Sequence, residues 1–232
     1  MAELLFLGTK GEIEEEKPHH RFHSSLVVTS GNFSLLIDYG MLQRYSISRI
    51  HPDYILITHA HPDHYRWLKI DEKTGVPVYL TGETLEYGKY RPQNAHVVKL
   101  DENFELGPFK CRAYRVIHSI RCPAVGWKIV VGGKTLVYNS DLVDIVEKDD
   151  VLTGVDYYIG DGAAVKANLV RRCGDQLFGH TRMITQIHWC EKYGIRHIIF
   201  THMGRETLRE EDSFKEQYPE VTLAYDGMKM EI

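Results

Sequence analysis

The sequence predicts a mixed α/β or α+β fold. Two observations lead there. Short apolar runs of strand length recur along the chain, as in Leu4-Leu5-Phe6-Leu7, Leu35-Leu36-Ile37 and Tyr54-Ile55-Leu56-Ile57. Two later stretches, 181–193 and 205–217, read as helices instead.

Taken in order, strands are expected through residue 58. A helix follows Pro62, since proline suits a first helical position. Strands come next around 78–80, 96–100, 110–117, 127–131 and 135–139. Asp141–Glu147 reads as a short helix and Tyr157–Ile159 as a strand. In 181–193, Met183, Ile184, Ile187 and Cys190 share a face, with Thr181 as the N-cap and Gly194 as the stop. A strand at 195–201, a charged helix near 205–217 and a final strand over 221–231 complete the chain. No low-complexity linker or tandem repeat interrupts it, so residues 1–232 are read as one domain.

The densest chemistry lies at 58–64, Thr-His-Ala-His-Pro-Asp-His. His59, His61, Asp63 and His64 place four metal-ligand side chains directly after an apolar strand. Side chains alternate at a strand end, so His59 and His61 point the same way and can share one ion. Pro62 keeps His61 extended and turns the chain, which swings Asp63 and His64 toward a second ion. Imidazole with some carboxylate suits zinc, manganese or iron rather than calcium or magnesium.

Further candidates follow later strand-like runs. Residues 113–117 lead to His118, residues 135–140 to Asp141, and residues 197–201 to His202. The seven divide into His59, His61 and His118 on one ion, and Asp63, His64 and His202 on the other, with Asp141 bridging. Two divalent ions outweigh the two carboxylates and a bridging hydroxide. The site therefore keeps positive charge for an anionic diester, and metal binding lowers the pKa of water to roughly 7. Hydrolysis by attack of that metal-activated hydroxide is expected.

These residues, with Leu5-Phe6-Leu7-Gly8-Thr9, Asp38-Tyr39-Gly40, Cys122 to Trp127, Asn139-Ser140-Asp141 and Ala224 to Met228, resemble the metallo-β-lactamase superfamily. Within it they look like the phosphodiesterase branch that includes the tRNA 3′-processing endonuclease RNase Z. The resemblance spans nearly the whole chain. It implies a four-layer αββα sandwich with two metals along one edge of the paired sheets. It departs from the family at Lys10-Gly11-Glu12, where a small Gly/Ser-rich turn is usual. There is also no room for the long Gly/Pro-rich arm with which RNase Z grips tRNA.

The leaving oxygen needs a proton, and His180 is the candidate donor by residue type and position. Thr181 places it at the start of a helix, whose positive end favours phosphate. Gly179-His180-Thr181 is also similar to the His-Ser-Thr motif of RNase Z-like enzymes, whose His is the proposed donor. Asp161, in Gly160-Asp161-Gly162, stands where those enzymes carry a Glu-containing motif that orients this His. The alternatives are a capping or supporting histidine and an ordinary turn aspartate. Lys166, Arg171, Arg172 and Arg205 could hold a phosphate.

The expected activity is that of a dinuclear phosphodiesterase on a nucleotide, cyclic nucleotide or nucleic-acid diester. RNase Z-type tRNA cleavage and hydrolysis of a lactone, thioester or β-lactam are the alternatives. A metal-binding scaffold or a redox module fits less well, since a diiron redox member would need a flavin or rubredoxin partner domain. The net charge of −4 and the run Glu12, Glu14, Glu15, Glu16 argue for a small substrate over a long polyanion, although nucleic acid stays among the candidates. A second subunit in a homodimer could add a basic surface. No apolar run approaches the roughly 20 residues of a membrane span. Residues 4–7 are too short for a signal peptide. Four cysteines without CxxC spacing read as reduced thiols in a cytoplasmic protein.

Overall fold

The structure is a computed structural model describing residues 1–232. Strands β1 (Ala2–Gly8), β2 (Ser25–Ser30) and β3 (Phe33–Ile37) form an antiparallel meander. The chain then passes through the short helix α1 (Ile47–Ile50) to β4 (Tyr54–Leu56). It continues through β5 (Val78–Thr81) and α2 (Gly82–Tyr87) to β6 (Ala95–Val98). These three strands add in parallel beside β3.

The second sheet opens with an antiparallel set, β7 (Asn103–Leu106), β8 (Phe109–Ile117), β9 (Ala124–Val131) and β10 (Lys134–Tyr138). A two-residue strand, β11 (Asp144–Ile145), returns along β8. Helix α3 (Lys148–Leu152) leads to β12 (Tyr157–Asp161), which is parallel to β10. The hairpin β13 (Arg171–Cys173) and β14 (Gln176–Phe178) precedes α4 (Met183–Tyr193), β15 (His197–Thr201), α5 (Arg205–Gln217) and β16 (Val221–Leu223). Last, β17 (Lys229–Glu231) pairs with β1. One sheet runs β17-β1-β2-β3-β4-β5-β6. The other runs β11-β8-β9-β10-β12-β15-β16, with β7 beside β8.

The period-two alternation of strand side chains divides the core. Leu4, Phe6, Leu26, Val28, Leu35 and Ile37 point inward and meet Phe109, Trp127, Ile129, Leu136 and Ile159 of the other sheet. Their neighbours Leu7, Val27 and Leu36 point outward, against Ile47 of α1, Tyr65 and Trp67. On the far side, α3, α4 and α5 cover the second sheet with Val151, Met183, Ile187, Cys190, Leu208 and Phe214. The layers are helix, sheet, sheet, helix, the αββα sandwich that the resemblance implied. No helix is long and apolar enough to cross a membrane.

Four expectations change. The helix after Pro62 is one turn (Tyr65 N–H to His61 O, 2.8 Å) followed by a 3₁₀ turn at Arg66–Leu68, because Tyr39 O captures the Arg66 N–H at 2.7 Å. Asp141–Glu147 is not a helix. Val143 and Val146 donate to Ile117 and Arg115, so the segment lies along the edge of β8 and the helix starts only at Lys148. The single strand over 221–231 is two, β16 and β17, in different sheets, with a turn at Gly227 (φ 90°) between them. Thr181 is not the N-cap of α4; Arg182 takes that position, and the Thr181 N–H goes to Leu142 O. The first α4 amide, Met183, is occupied by Ala164 O, so it is not free to hold phosphate.

Candidate metal centre

Every expected ligand lies just beyond a strand on the same edge of the sandwich. His59 and His61 follow β4, and Asp63 and His64 lie in the turn behind them. His118 follows β8, Asp141 follows β10 and His202 follows β15. The turn stays tight because Gly40 lets the 38–41 segment meet it. A Cβ on Gly40 would lie 2.0 Å from Asp63 O. His202 takes a left-handed backbone (φ 57°), with Gly11 packed on its ring.

The side chains gather into two groups, His59, His61, His118 and Asp141, and Asp63, His64, Asp141 and His202. Ligand atoms within each lie within 4.8 Å of one another. Asp141 Oδ2 is 3.2 Å from both His59 Nε2 and His64 Nε2 and 3.5 Å from His118 Nε2. A third group joins Asp141, Asp161, His180 and His202.

These side chains converge and satisfy one another only in part. Asp141 Oδ1 and His202 Nδ1 are 2.8 Å apart, yet both are buried without an aligned hydrogen-bond partner, as is His64 Nε2. Buried polar atoms normally have partners, and a cation at the point of convergence would supply them. The charges agree. Burial pushes His59 and His118 down to about 3, which keeps them neutral and able to ligate. Burial also opposes charge on His64 and His202, but the carboxylates outweigh it. Asp63 leads around His64 and Asp141 around His202, and both imidazoles are held well above their ordinary value. The cluster thus draws positive charge inward, and its donor set fits divalent cations.

An outer layer aims the ligands. His64 Nδ1 donates to Asp38 Oδ2 at 2.8 Å, and His118 Nδ1 to Gly179 O at 3.0 Å. His59 Nδ1 donates to Thr58 Oγ1 at 3.0 Å, and that hydroxyl donates to Asp38. In all three imidazoles Nδ1 is held and Nε2 turns toward the cluster, the usual arrangement behind a metal-binding histidine. Asp38 is fully buried. Its function was invisible in sequence, because the Asp-x-Gly motif carries no sign of where the carboxylate points.

His180 and Asp161 are also brought together. His180 Nδ1 lies 2.7 Å from Asp161 Oδ2, which also accepts the Leu142 N–H. Burial disfavours the His180 cation, but Asp161 offsets this and raises its pKa. Asp161 is the last residue of β12 rather than a free turn, and Gln186 of α4 brackets its backbone at N and O. Sequence reasoning missed Gln186, a polar residue in an apolar stripe.

A cavity of about 480 Å³ opens over the cluster. It is lined by His61, Asp63, His118, Asp141, His180 and His202 and walled by Glu12, Ile13, Leu169, Arg205 and Arg209 among others. Of the expected phosphate holders only Arg205 reaches it. Arg171 and Arg172 lie exposed on β13, and Lys166 is turned to Gln217. Arg209 was not foreseen. Its signal was the four-residue spacing from Arg205 on one helix.

Solved structures share this fold. A diphosphatase from the PhnP family is 23% identical with a TM-score of 0.77, covering 100% of this chain and 98% of that one. Human tRNase Z, short form (ELAC1), is 18% identical with a TM-score of 0.70, covering 99% of each chain. Zn(2+)-bound PqqB from Methylobacterium extorquens is 17% identical with a TM-score of 0.72, covering 99% of this chain and 100% of that one. At such identities the likeness is one of fold. No curated protein sequence matches the chain. Residues 40–203, more than half of the chain, match the family described as "Beta-lactamase superfamily domain". With that match and the αββα sandwich, the chain belongs to the metallo-β-lactamase superfamily of metal-dependent hydrolases.

Proposed function

We propose that this protein is a dinuclear metal-dependent phosphodiesterase of the RNase Z-like branch, acting on a small nucleotide-type diester. The observation that carries the reading is the pair of ligand groups sharing Asp141, with the His180–Asp161 pair on the wall of the same cavity. His59, His61 and His118 would hold one ion, Asp63, His64 and His202 the other, and Asp141 both. Ions held there supply positive charge for the ester and a water of pKa near 7. Zinc is the assigned metal, with manganese or iron as substitutes, from the imidazole-rich ligand set; the Zn(2+)-bound neighbour supports this.

The chain's own residues do the rest. Asp161 accepts the Nδ1–H of His180, which fixes the tautomer and leaves Nε2 to exchange a proton with the leaving oxygen. Ile13, Ala163, Ala164 and Leu169 give the cavity an apolar wall beside the cluster. A diphosphatase and a tRNase stand among the structural neighbours, which favours a phosphorus substrate over a carboxylic one. The cavity volume, Glu12 on its wall and the net charge of −4 favour a small diester over precursor tRNA. Four unpaired cysteines suit a reducing cytoplasm.

The deciding experiment is turnover of bis-p-nitrophenyl phosphate, the cyclic mononucleotides and a precursor tRNA by the same metal-loaded preparation at matched ionic strength. Higher kcat/KM on a small diester than on tRNA is expected. Cleavage of tRNA with no turnover of small diesters would reverse the ranking.

A further inference from the structure

The cavity over the ligand cluster carries a second charged feature on its rim. Arg205 and Arg209 both line it. They lie four residues apart on α5, so their side chains rise from one face of the helix. Both also line the adjoining groove with Glu15, Glu16 and Lys17, so they stand between the two spaces.

Two like charges at this spacing repel unless an anion lies between them. The protein supplies only a weak one. Arg205 Nε donates to Glu15 Oε2 at 2.8 Å, in a pair whose side chains are 60% and 49% exposed. Arg209 forms no ion pair within 4.0 Å. The nearby Glu206 carboxylate accepts the backbone amides of Lys166 and Ala167. Glu15 belongs to the acidic run 12–16. Glu16 of that run is tied to Lys10 and Arg21 at 3.5 and 3.9 Å. The run is therefore a strap laid along the cavity rim, with one carboxylate resting on a cavity arginine.

We propose that Arg205 and Arg209 form a subsite for a second anionic group of the substrate, and that Glu15 occupies it when substrate is absent. The inference rests on the phosphodiesterase reading and deepens it. The substrate is a diester whose non-leaving arm ends in a phosphomonoester or a carboxylate. Guanidinium groups match both chemistries, since each offers two oxygens to a planar fork of N–H donors. The scissile phosphorus lies at the ligand cluster, and the arm runs past Ile13 and Ala167 to the arginines. Binding of the arm exchanges Glu15 for a substrate anion at Arg205.

Three chromogenic diesters test this. All carry p-nitrophenol as the leaving group, and their second arm is one alkanol ending in methyl, carboxylate or phosphate. For the wild-type, metal-loaded protein, KM for a charged arm is expected to be at least roughly tenfold below that for the methyl arm, the worth of one charge-assisted hydrogen bond. In Arg209→Ala the KM ratio of charged to methyl arm, measured on the same preparation, rises toward one, and Arg209→Glu inverts it. Glu15→Gln removes the internal competitor and lowers KM for the charged arms further. The better of the two charged arms names the group. Equal KM for all arms in wild type, or an unchanged ratio in Arg209→Ala, overturns the subsite while the methyl ester is still hydrolysed. Turnover of none of the three overturns the phosphodiesterase reading, and the subsite with it.

Discussion

Asp38 ties two imidazoles to one carboxylate, directly for His64 and through the Thr58 hydroxyl for His59. Asp38→Asn keeps the shape but places an N–H₂ group where acceptors are needed. Metal affinity is expected to fall about 10- to 100-fold, read by competition with a chelator. Unchanged affinity would mean that packing alone orients the rings. Asp141→Ala acts differently, since its carboxylate lies against both ligand groups. Elemental analysis should show lower occupancy of both ions, and retention of one full equivalent would argue against a bridge. His180→Ala should leave metal content near wild type and lower kcat by about 10²- to 10⁴-fold on esters with poor leaving groups. Nitrophenyl esters need less protonation and should lose less; equal losses would remove His180 from proton donation. The candidate ligands were legible because each follows an apolar run that reads as a strand, and strand ends here share one edge. Asp38 and Gln186 were not, because their importance lies in side-chain direction and in partners distant along the chain.

At the level of elements, the sheets were legible where an apolar run of strand length marks them, as in β1, β3 and β4, and obscure where pairing alone makes the strand. The hairpin β13–β14 is short and largely exposed, so no apolar pattern marks it. The stretch 221–231 looks continuous, yet its two ends pair with strands of opposite sheets. Helix α5 was legible from its charge pattern, and those charges have a use. Glu211 pairs with Lys215 one turn on at 2.7 Å and with Lys17 at 3.2 Å, tying the helix to the opening loop. Burial works to raise the Glu211 carboxyl, but Lys215 and Lys17 outweigh it and hold it down to about 2. His20 also faces Glu211, yet burial pushes that imidazole below its ordinary value. The two lysines therefore carry the pair at neutral pH. A carboxylate depressed on folding adds stability above its unfolded pKa and loses it as pH falls toward the folded value. Wild type should exceed Glu211→Gln in stability by about 1 kcal/mol at neutral pH, after allowing for solvent screening. That advantage should fade between pH 4.5 and about 2. Urea midpoints across that range check it, and a pH-independent difference would assign the effect to packing.

On the scale of the whole molecule, the ligand cluster straddles the two sheets. Residues 59–64 extend from the first sheet, and His118, Asp141 and His202 from the second. His202 Nε2 reaches Asp63 Oδ2 at 3.0 Å, and His59 Nε2 reaches Asp141 Oδ2 at 3.2 Å, both across that boundary. Bound ions would therefore staple one sheet edge to the other. Without them, carboxylate–imidazole pairs and mutually facing imidazoles remain at the same place. A ligand that binds only the folded state stabilises it by about 2.7 kcal/mol at 100 times its Kd and about 4.1 kcal/mol at 1,000 times. For a domain of this size each kcal/mol moves Tm by roughly 2–4 °C. Stripping metal should then lower Tm by roughly 5–15 °C, and restoring zinc should recover it. The loss should be local to the seam. Amide exchange should quicken in segments 58–65, 139–142 and 201–204, while β1–β3 and the inward faces of β8–β10 stay protected, because their burial does not depend on the ions. Asp141→Ala should show most of the same exchange pattern before any chelator is added, since it removes the side chain common to both ligand groups. A metal-independent Tm, or loss of protection spread evenly over both sheets, would mean that the sandwich closes without the staple and that the cluster serves chemistry alone.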